Sequence, residues 1–390
     1  MRRITIAERR ARLATRHHLA PPARANDVVE VARDIVAFHA TDPSSVFLAA
    51  WARLRKPTVS NIEQALYDDR SLVRMLGMRR TMFVVPADLA PVVQSACTND
   101  IAVTERKRLV QLLTESGVAD AGAWLDGVNE STVRILAGLG EASATQLAAL
   151  EPRLRQKLAP GGRKQYGPPA AITTFVLMRL AAEGRIVRGR PSGSWMSGQY
   201  RWSPMERWLP DGLAQLPAEV ARVELARRWL RAFGPATAAD LKWWTGWTAG
   251  RVTQALKEIG AVEVDLDGAT GFVLPDDLET PRKVAPWVAL LPGLDPTVMG
   301  WVRRDWYLGS HASALFDRTG NAGPTIWSDG RVVGGWAQRK SGEIAYRLLE
   351  DIGKQAEKEV AGEAERLQSW LGNARVTPRF RTPMERELAG

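Results

Sequence analysis

Apolar residues recur at helical spacing in several stretches, each closed by glycine. Over residues 249–259, Val252, Leu256 and Ile259 share one face, which predicts a helix stopped by Gly260. Ile172, Phe175, Val176 and Leu180 predict another over 170–183, ahead of Gly184. Each helix runs into alternating, β-branched stretches. Residues 261–266 and 271–274 flank Asp267-Gly268, a strong hairpin signal. Residues 185–190 and 199–202 flank a tip of Pro, Gly and Ser. Upstream of each helix lies the same eight-residue pattern, G-x-A-[S/T]-A-x-x-L. It reads Gly140 to Leu147 in one copy and Gly234 to Leu241 in the other. The glycine ends a preceding apolar helix (132–139 or 224–233), and Ser143 or Thr237 is placed to cap the next.

Helix, short helix, longer helix and hairpin make a winged helix, so the repeat predicts two such modules. A degenerate third lies near the N-terminus. There Ser60 is expected to cap a helix over 61–67, Asp69 a helix over 71–77, and residues 80–85 read as a strand. The character changes after about residue 280. Strands are expected over 287–291, 325–327, 331–338 and 343–349, with turns at Ser328-Asp329-Gly330 and Lys340-Ser341-Gly342. An amphipathic helix follows over 354–371, and 375–381 reads as an edge strand. The fold class is α+β: winged-helix modules followed by a small antiparallel, barrel-like domain. The expected divisions are 1–118, 119–212, 213–280 and 281–390.

Composition narrows the chemistry. The 390 residues include one cysteine, Cys97, which excludes an internal disulfide and a cysteine-built metal site. No apolar run spans a bilayer and no secretory pattern opens the chain, so a cytoplasmic protein with no membrane partner is expected. Lys+Arg 53 against Asp+Glu 43 gives a net charge of +10, which favours a polyanionic partner. The basic residues are mostly arginine, suited to bidentate phosphate contacts, although high-GC genomes enrich arginine everywhere. The four histidines, His17, His18, His39 and His311, form no metal motif, and HExxH, GxSxG and GxGxxG contexts are absent. Neither a metal nor a cofactor is expected.

Several segments resemble the winged-helix DNA glycosylases of the AlkZ/YcaQ type, the crosslink-repair family. They are Phe38-His39-Ala40-Thr41-Asp42-Pro43, Trp51-Ala52-Arg53-Leu54, Met78-Arg79-Arg80-Thr81-Met82 and residues 184–202. The strongest is Leu291-Pro292-Gly293-Leu294-Asp295-Pro296-Thr297-Val298-Met299-Gly300-Trp301, with Asp305-Trp306-Tyr307, Asn321-Ala322-Gly323-Pro324 and 331–336 completing the series. The resemblance implies three tandem winged helices and a C-terminal β-rich domain curved in a C-shape around double-stranded DNA. It further implies a monomeric, nucleoid-associated bacterial enzyme. The implied reaction is monofunctional hydrolysis of the N-glycosidic bond of bulky N7-alkylguanines, in base excision repair or in self-resistance to a DNA-alkylating natural product. The family's signature, Gln-apolar-Gln or Gln-apolar-Asp before Asp-Pro, is His39-Ala40-Thr41 here.

These residues suit the chemistry. An N7-alkylguanine is cationic and already a good leaving group, and its departure leaves an oxocarbenium-like sugar. A neutral His39 can orient water or take its proton. Thr41 can hold the water, and Asp42 can add negative charge near the sugar. The rival reading makes His39 the end of a helix over 28–38, and Asp42 the N-cap of a helix over 44–54 with Pro43 first.

The first hairpin is the expected DNA contact. From Glu151 to Pro210 there are eleven Lys/Arg against three acids, among them Lys164, Arg188, Arg190 and Arg201. Its tip carries Trp195 and Met196, apolar groups that either wedge into a groove or fold back on the core. Arg79, Arg80, Arg251, Arg303 and Arg304 complete the expected interface. Asp295 reads as a structural turn or a site residue, and Trp243, Trp244 and Trp247 as core or base platform. The competing function is a non-catalytic DNA-binding protein, a regulator or damage sensor. A regulator usually dimerises on a palindrome, and no heptad zipper is present.

Overall fold

The computed structural model describes residues 1–158 and 171–390. Capping boxes fix both copies of the repeat. Ser143 accepts from the Gln146 N–H and Gln146 reaches back to Ser143, opening the helix Ala144–Leu150. Thr237 and Asp240 do the same for Ala238–Thr245. The helices before them are longer than expected, Ala121–Leu139 and Ala218–Phe233. The third helices, Thr173–Ala182 and Ala249–Ile259, lead into the hairpins Ile186–Pro191/Tyr200–Pro204 and Val262–Leu266/Ala269–Val273. Asp267 and Gly268 both have positive φ, 54° and 89°, as a tight hairpin turn between twisted strands requires. The second hairpin gains a third strand from the start of the chain, because Arg2–Arg3 pairs parallel to it.

The N-terminal region departs from expectation. In the segment expected as the third module the first helix is Val59–Glu63, capped by Thr58 and not Ser60. Residues expected as a helix over 71–77 form the strand Leu72–Gly77, antiparallel to Thr81–Pro86. All six positions of Leu72–Gly77 are buried, and such a short continuous apolar run does not distinguish helix from strand by period. The helix expected over 28–38 stops at Asp34, and Phe38–His39 joins the far side of Thr81–Pro86 as a third strand.

The C-terminal strands Val288–Leu291, Thr325–Ser328, Arg331–Gln338 and Ile344–Leu348 pair in chain order as one antiparallel sheet. The sheet is open and does not close into a barrel. Residues 375–381 form no strand. Val376 instead donates its N–H to the Gln338 side chain at 2.8 Å, and the helix Pro383–Ala389 follows. The helix Lys354–Leu371 lies as expected. Among the described residues, no helix is long and apolar enough to cross a membrane.

A buried polar network ties these regions together. Arg53, at the end of the helix Pro43–Arg53, donates to both oxygens of Asp295 at 2.7 and 2.8 Å, and both side chains are fully buried. Arg53 also donates to the Thr297 hydroxyl at 2.8 Å, which in turn bonds His17 Nδ1 at 2.8 Å. His17 Nε2 meets the carbonyl of Ala232. Asp295 is therefore a structural residue. Removing one partner strands a buried charge, so Arg53→Ala and Asp295→Asn should each lower unfolding free energy by about 3–5 kcal/mol in denaturant titrations. A loss under about 1 kcal/mol would contradict this role.

Candidate functional site

The strand Phe38–His39 places His39 opposite Phe83, with the two rings edge-on at 5.4 Å. His39 is 7% exposed, and its Nδ1 is buried with no hydrogen-bond partner among the described residues. Burial, reinforced by the Arg79 charge, pushes its pKa down to about 3. The imidazole is therefore neutral, with a ring nitrogen free of protein partners. A neutral ring nitrogen without a protein partner can hydrogen-bond and so orient a water.

The next residues are held by their backbone. Ala40 donates its N–H to Met82 at 2.8 Å and accepts from the Arg74 guanidinium at 3.1 Å. The half-buried Thr41 accepts at its carbonyl from the Arg379 guanidinium at 3.4 Å. Asp42 caps the helix Pro43–Arg53. Its Oδ1 accepts from the Ser44 N–H (3.0 Å) and hydroxyl (2.7 Å), and its Oδ2 from the Arg379 N–H (2.8 Å). Both oxygens are thus engaged by the protein.

Cations flank this strand. Arg79 and Arg80 make the turn between Leu72–Gly77 and Thr81–Pro86, both with left-handed φ (53° and 60°). Arg79 lies 3.8 Å from the Trp243 ring centroid, and Arg304 approaches the same indole at 5.0 Å. Burial and Arg304 push the Arg79 pKa down to about 10. Trp243 is half-buried, while Trp244 and Trp247 are core. Arg79, Arg80 and Arg251 line one cleft of about 300 Å³, with Arg80 paired to Glu105 (2.7 Å) and Arg251 to Asp100 (2.6 Å). Arg303 is exposed.

On the first hairpin, Arg188 lies 5.4 and 5.3 Å from the rings of Tyr200 and Trp202. Burial, with Arg74 nearby, pushes its pKa down to about 10. Arg190 pairs with Glu63 and Asp68 at 3.0 Å, and Arg201 with Glu141 at 2.7 Å. Trp195 folds back onto Phe47 (4.9 Å) and Trp370 (5.8 Å), and Met196 also packs on the core. Lys164 and the rest of the basic loop lie outside the described residues. His18, Glu30 and Asp34 are the one metal-capable group among the described residues, with ligand atoms within 4.8 Å of one another. His18 already meets the Ala23 carbonyl and Asp34, both at 2.8 Å, so an ion pair accounts for that geometry.

Sequence reasoning passed over Arg74, Tyr200 and Arg379. A signal for Arg74 was available: an arginine inside the apolar run Leu72-Val73-Arg74-Met75-Leu76 needs a reason to be there.

The sequence matches the family described as DNA glycosylase AlkZ-like over residues 32–370. Among solved structures, the fold is similar to that of the Streptomyces sahachiroi DNA glycosylase AlkZ. The TM-score is 0.73 at 22% identity, over 97% of this chain and 99% of that one. No curated protein matches by sequence.

His39 and His17 are both held near pKa 3, chiefly by burial, against an ordinary 6.5 in the unfolded chain. Their folded pKa values are lowered. The neutral forms therefore stabilise fully above about pH 6.5, and the contribution is lost as pH falls toward 3. In denaturant titrations from pH 7 to 4, His39→Gln should show a shallower fall in stability than the wild type. Parallel curves would mean that His39 is not held neutral.

Proposed function

The chain belongs to the AlkZ-like DNA glycosylase family, and from that premise we propose that it hydrolyses the N-glycosidic bond of bulky N-alkylpurines, N7-alkylguanine foremost, using His39. The observation that carries this reading is the neutral His39 ring, its Nδ1 buried and without a partner among the described residues, beside the Arg79 charge.

In the proposed reaction the positively charged base leaves without needing protonation, and the sugar develops oxocarbenium character. His39 orients the attacking water and accepts its proton as the C1′–O bond forms. Thr41 supplies a hydroxyl beside the water. The oxygens of Asp42 are taken up by the helix cap and the Arg379 N–H, so it acts by placing His39 and Thr41 on the strand side of that cap. No covalent enzyme intermediate and no cofactor is required. The product is free alkylated base and an abasic site.

DNA binding is proposed for two faces. The first is the cleft with Arg79, Arg80 and Arg251, extended by Arg303 and Arg304. The second is the first hairpin, with Arg188, Arg190 and Arg201. Arg80, Arg190, Arg201 and Arg251 are paired with carboxylates in the free protein, so phosphates would compete for them. We take residues 1–118, 119–212 and 213–280 as three winged-helix modules that place one chain on a duplex as a monomer, with 281–390 as the supporting domain. A role in base excision repair, or in self-resistance to a DNA-alkylating natural product, follows from such a substrate.

One observation favours a second reading, a DNA-binding protein without chemistry. His39 is only 7% exposed, so water and sugar reach it only if the covering residues yield on binding.

The two readings separate on a duplex carrying a single bulky N7-alkylguanine. The proposal expects free adducted base and a hot-alkali-labile site. His39→Ala should reduce that rate at least about tenfold with affinity nearly unchanged. Because His39 stays neutral far below neutrality, the rate should show no inflection near pH 6.5. Binding without base release across several adducts would establish the second reading.

A further inference from the structure

A buried cation without a counterion is costly, so one that persists in a fold points to a partner still to come. Three arginines without a carboxylate partner among the described residues gather here: Arg74, which is buried, and the exposed Arg379 meet the Ala40–Thr41 backbone, and Arg188 shares the Tyr200 ring with Arg74. Arg74 is 3% exposed and donates one N–H to the Ala40 carbonyl at 3.1 Å. Its Nε and Nη2 are buried without a hydrogen-bond partner among the described residues, and the guanidinium also faces the Tyr67 phenol. The guanidinium lies 4.8 Å from the Tyr200 ring centroid, and the Tyr200 hydroxyl is likewise buried and unpartnered. Arg188 meets the same ring at 5.4 Å. The exposed Arg379 reaches the Thr41 carbonyl at 3.4 Å, and its charge, like that of Arg74, bears on Arg188.

None of the three has a carboxylate partner among the described residues, and the neighbouring carboxylates are engaged. Glu63 and Asp68 hold Arg190. Asp42 accepts from Ser44 and from the Arg379 backbone N–H. Two of the three guanidinium groups are tethered to consecutive carbonyls directly after His39, so any anion they hold sits at a fixed place relative to the imidazole.

We propose that Arg74, Arg188 and Arg379, with the Tyr200 hydroxyl, form a subsite for one DNA backbone phosphate beside His39. The ligand chemistry fits: a phosphodiester offers two anionic oxygens to planar N–H forks and accepts a phenolic O–H. Arg379 is exposed, Arg188 half-buried and Arg74 buried, so an arriving phosphate meets Arg379 first. A phosphate contact of this kind carries no sequence information; it sets register and holds one deoxyribose in front of His39. The proposal rests on the reading of the chain as a protein that acts on DNA.

The test is binding of the full chain to a duplex containing a tetrahydrofuran abasic analogue, followed by fluorescence anisotropy across a salt series. Arg379→Ala alters an exposed side chain and keeps the fold. It should weaken binding about tenfold and flatten the log–log salt slope by about 0.9, the value of one lost phosphate contact. Arg188→Met should do the same. Neutral methylphosphonates are then placed one at a time around the analogue. At one position the wild type should lose that same factor, while Arg379→Ala loses nothing further.

Unchanged slopes, or losses that multiply with Arg379→Ala at every position, would overturn the subsite. So would a thermal shift with inorganic phosphate unaccompanied by any methylphosphonate-sensitive position, since the anion site would then be unconnected to DNA. The analogue has no base to release. A protein that binds as expected but never excises leaves the subsite standing and ends the glycosylase reading; excision with an unchanged slope does the reverse.

Discussion

The fully buried pair of Arg53 and Asp295 is the constraint on which the placement of the site depends. Arg53 closes the helix that Asp42 opens, and Asp295 belongs to the turn after the first strand of the C-terminal sheet. Both ends of that helix are therefore anchored in sequence-distant chain: Asp42 holds the Arg379 N–H, and Arg53 holds Asp295. The His39 strand enters this helix through three residues, so its position follows from the two anchors. Thr297 and His17 extend the network to the N-terminal helix Ile6–Arg16, whose C-cap is His17, and to Ala232. An ion pair of this kind often contributes no more net stability than a well-packed apolar replacement. Its effect is to make one arrangement much better than its neighbours, because any shift leaves a charge unpaired.

Charge distribution around His39 follows a consistent logic. Arg79 and Arg304 both approach the Trp243 ring, and Arg74 and Arg188 both approach the Tyr200 ring. Aromatic faces let guanidinium groups sit close to one another without carboxylates that would compete with a phosphate. Burial, together with the Arg79 charge, keeps the imidazole neutral. A surface built to hold a polyanion is thus also one that keeps a histidine uncharged, and a weaker base than a free imidazole.

Periodicity made the repeat legible because each part of it has a local cause. Capping residues, glycine stops and the Asp267-Gly268 turn act within a few residues of themselves, and they appear where the sequence places them. The family's motifs made His39 and Asp42 candidates. What could not be read was set by distant contacts. Leu72–Gly77 is a strand because Thr81–Pro86 and Phe38–His39 complete its sheet, and its own apolar run carries no period. Trp195 lies on Phe47 and Trp370, partners far away in the chain. Arg53 and Asp295 stood in two separately noticed segments, with nothing in either to reveal the other. Arg190 was read as free positive charge, but Glu63 and Asp68 meet it across the fold.

The most direct measurement is the structure of the complex with abasic-site DNA. The account predicts one deoxyribose facing His39, with Nδ1 within a single water's reach of C1′. A duplex seated on the arginines while His39 stays covered by protein, its Nδ1 out of reach of any sugar, would contradict it.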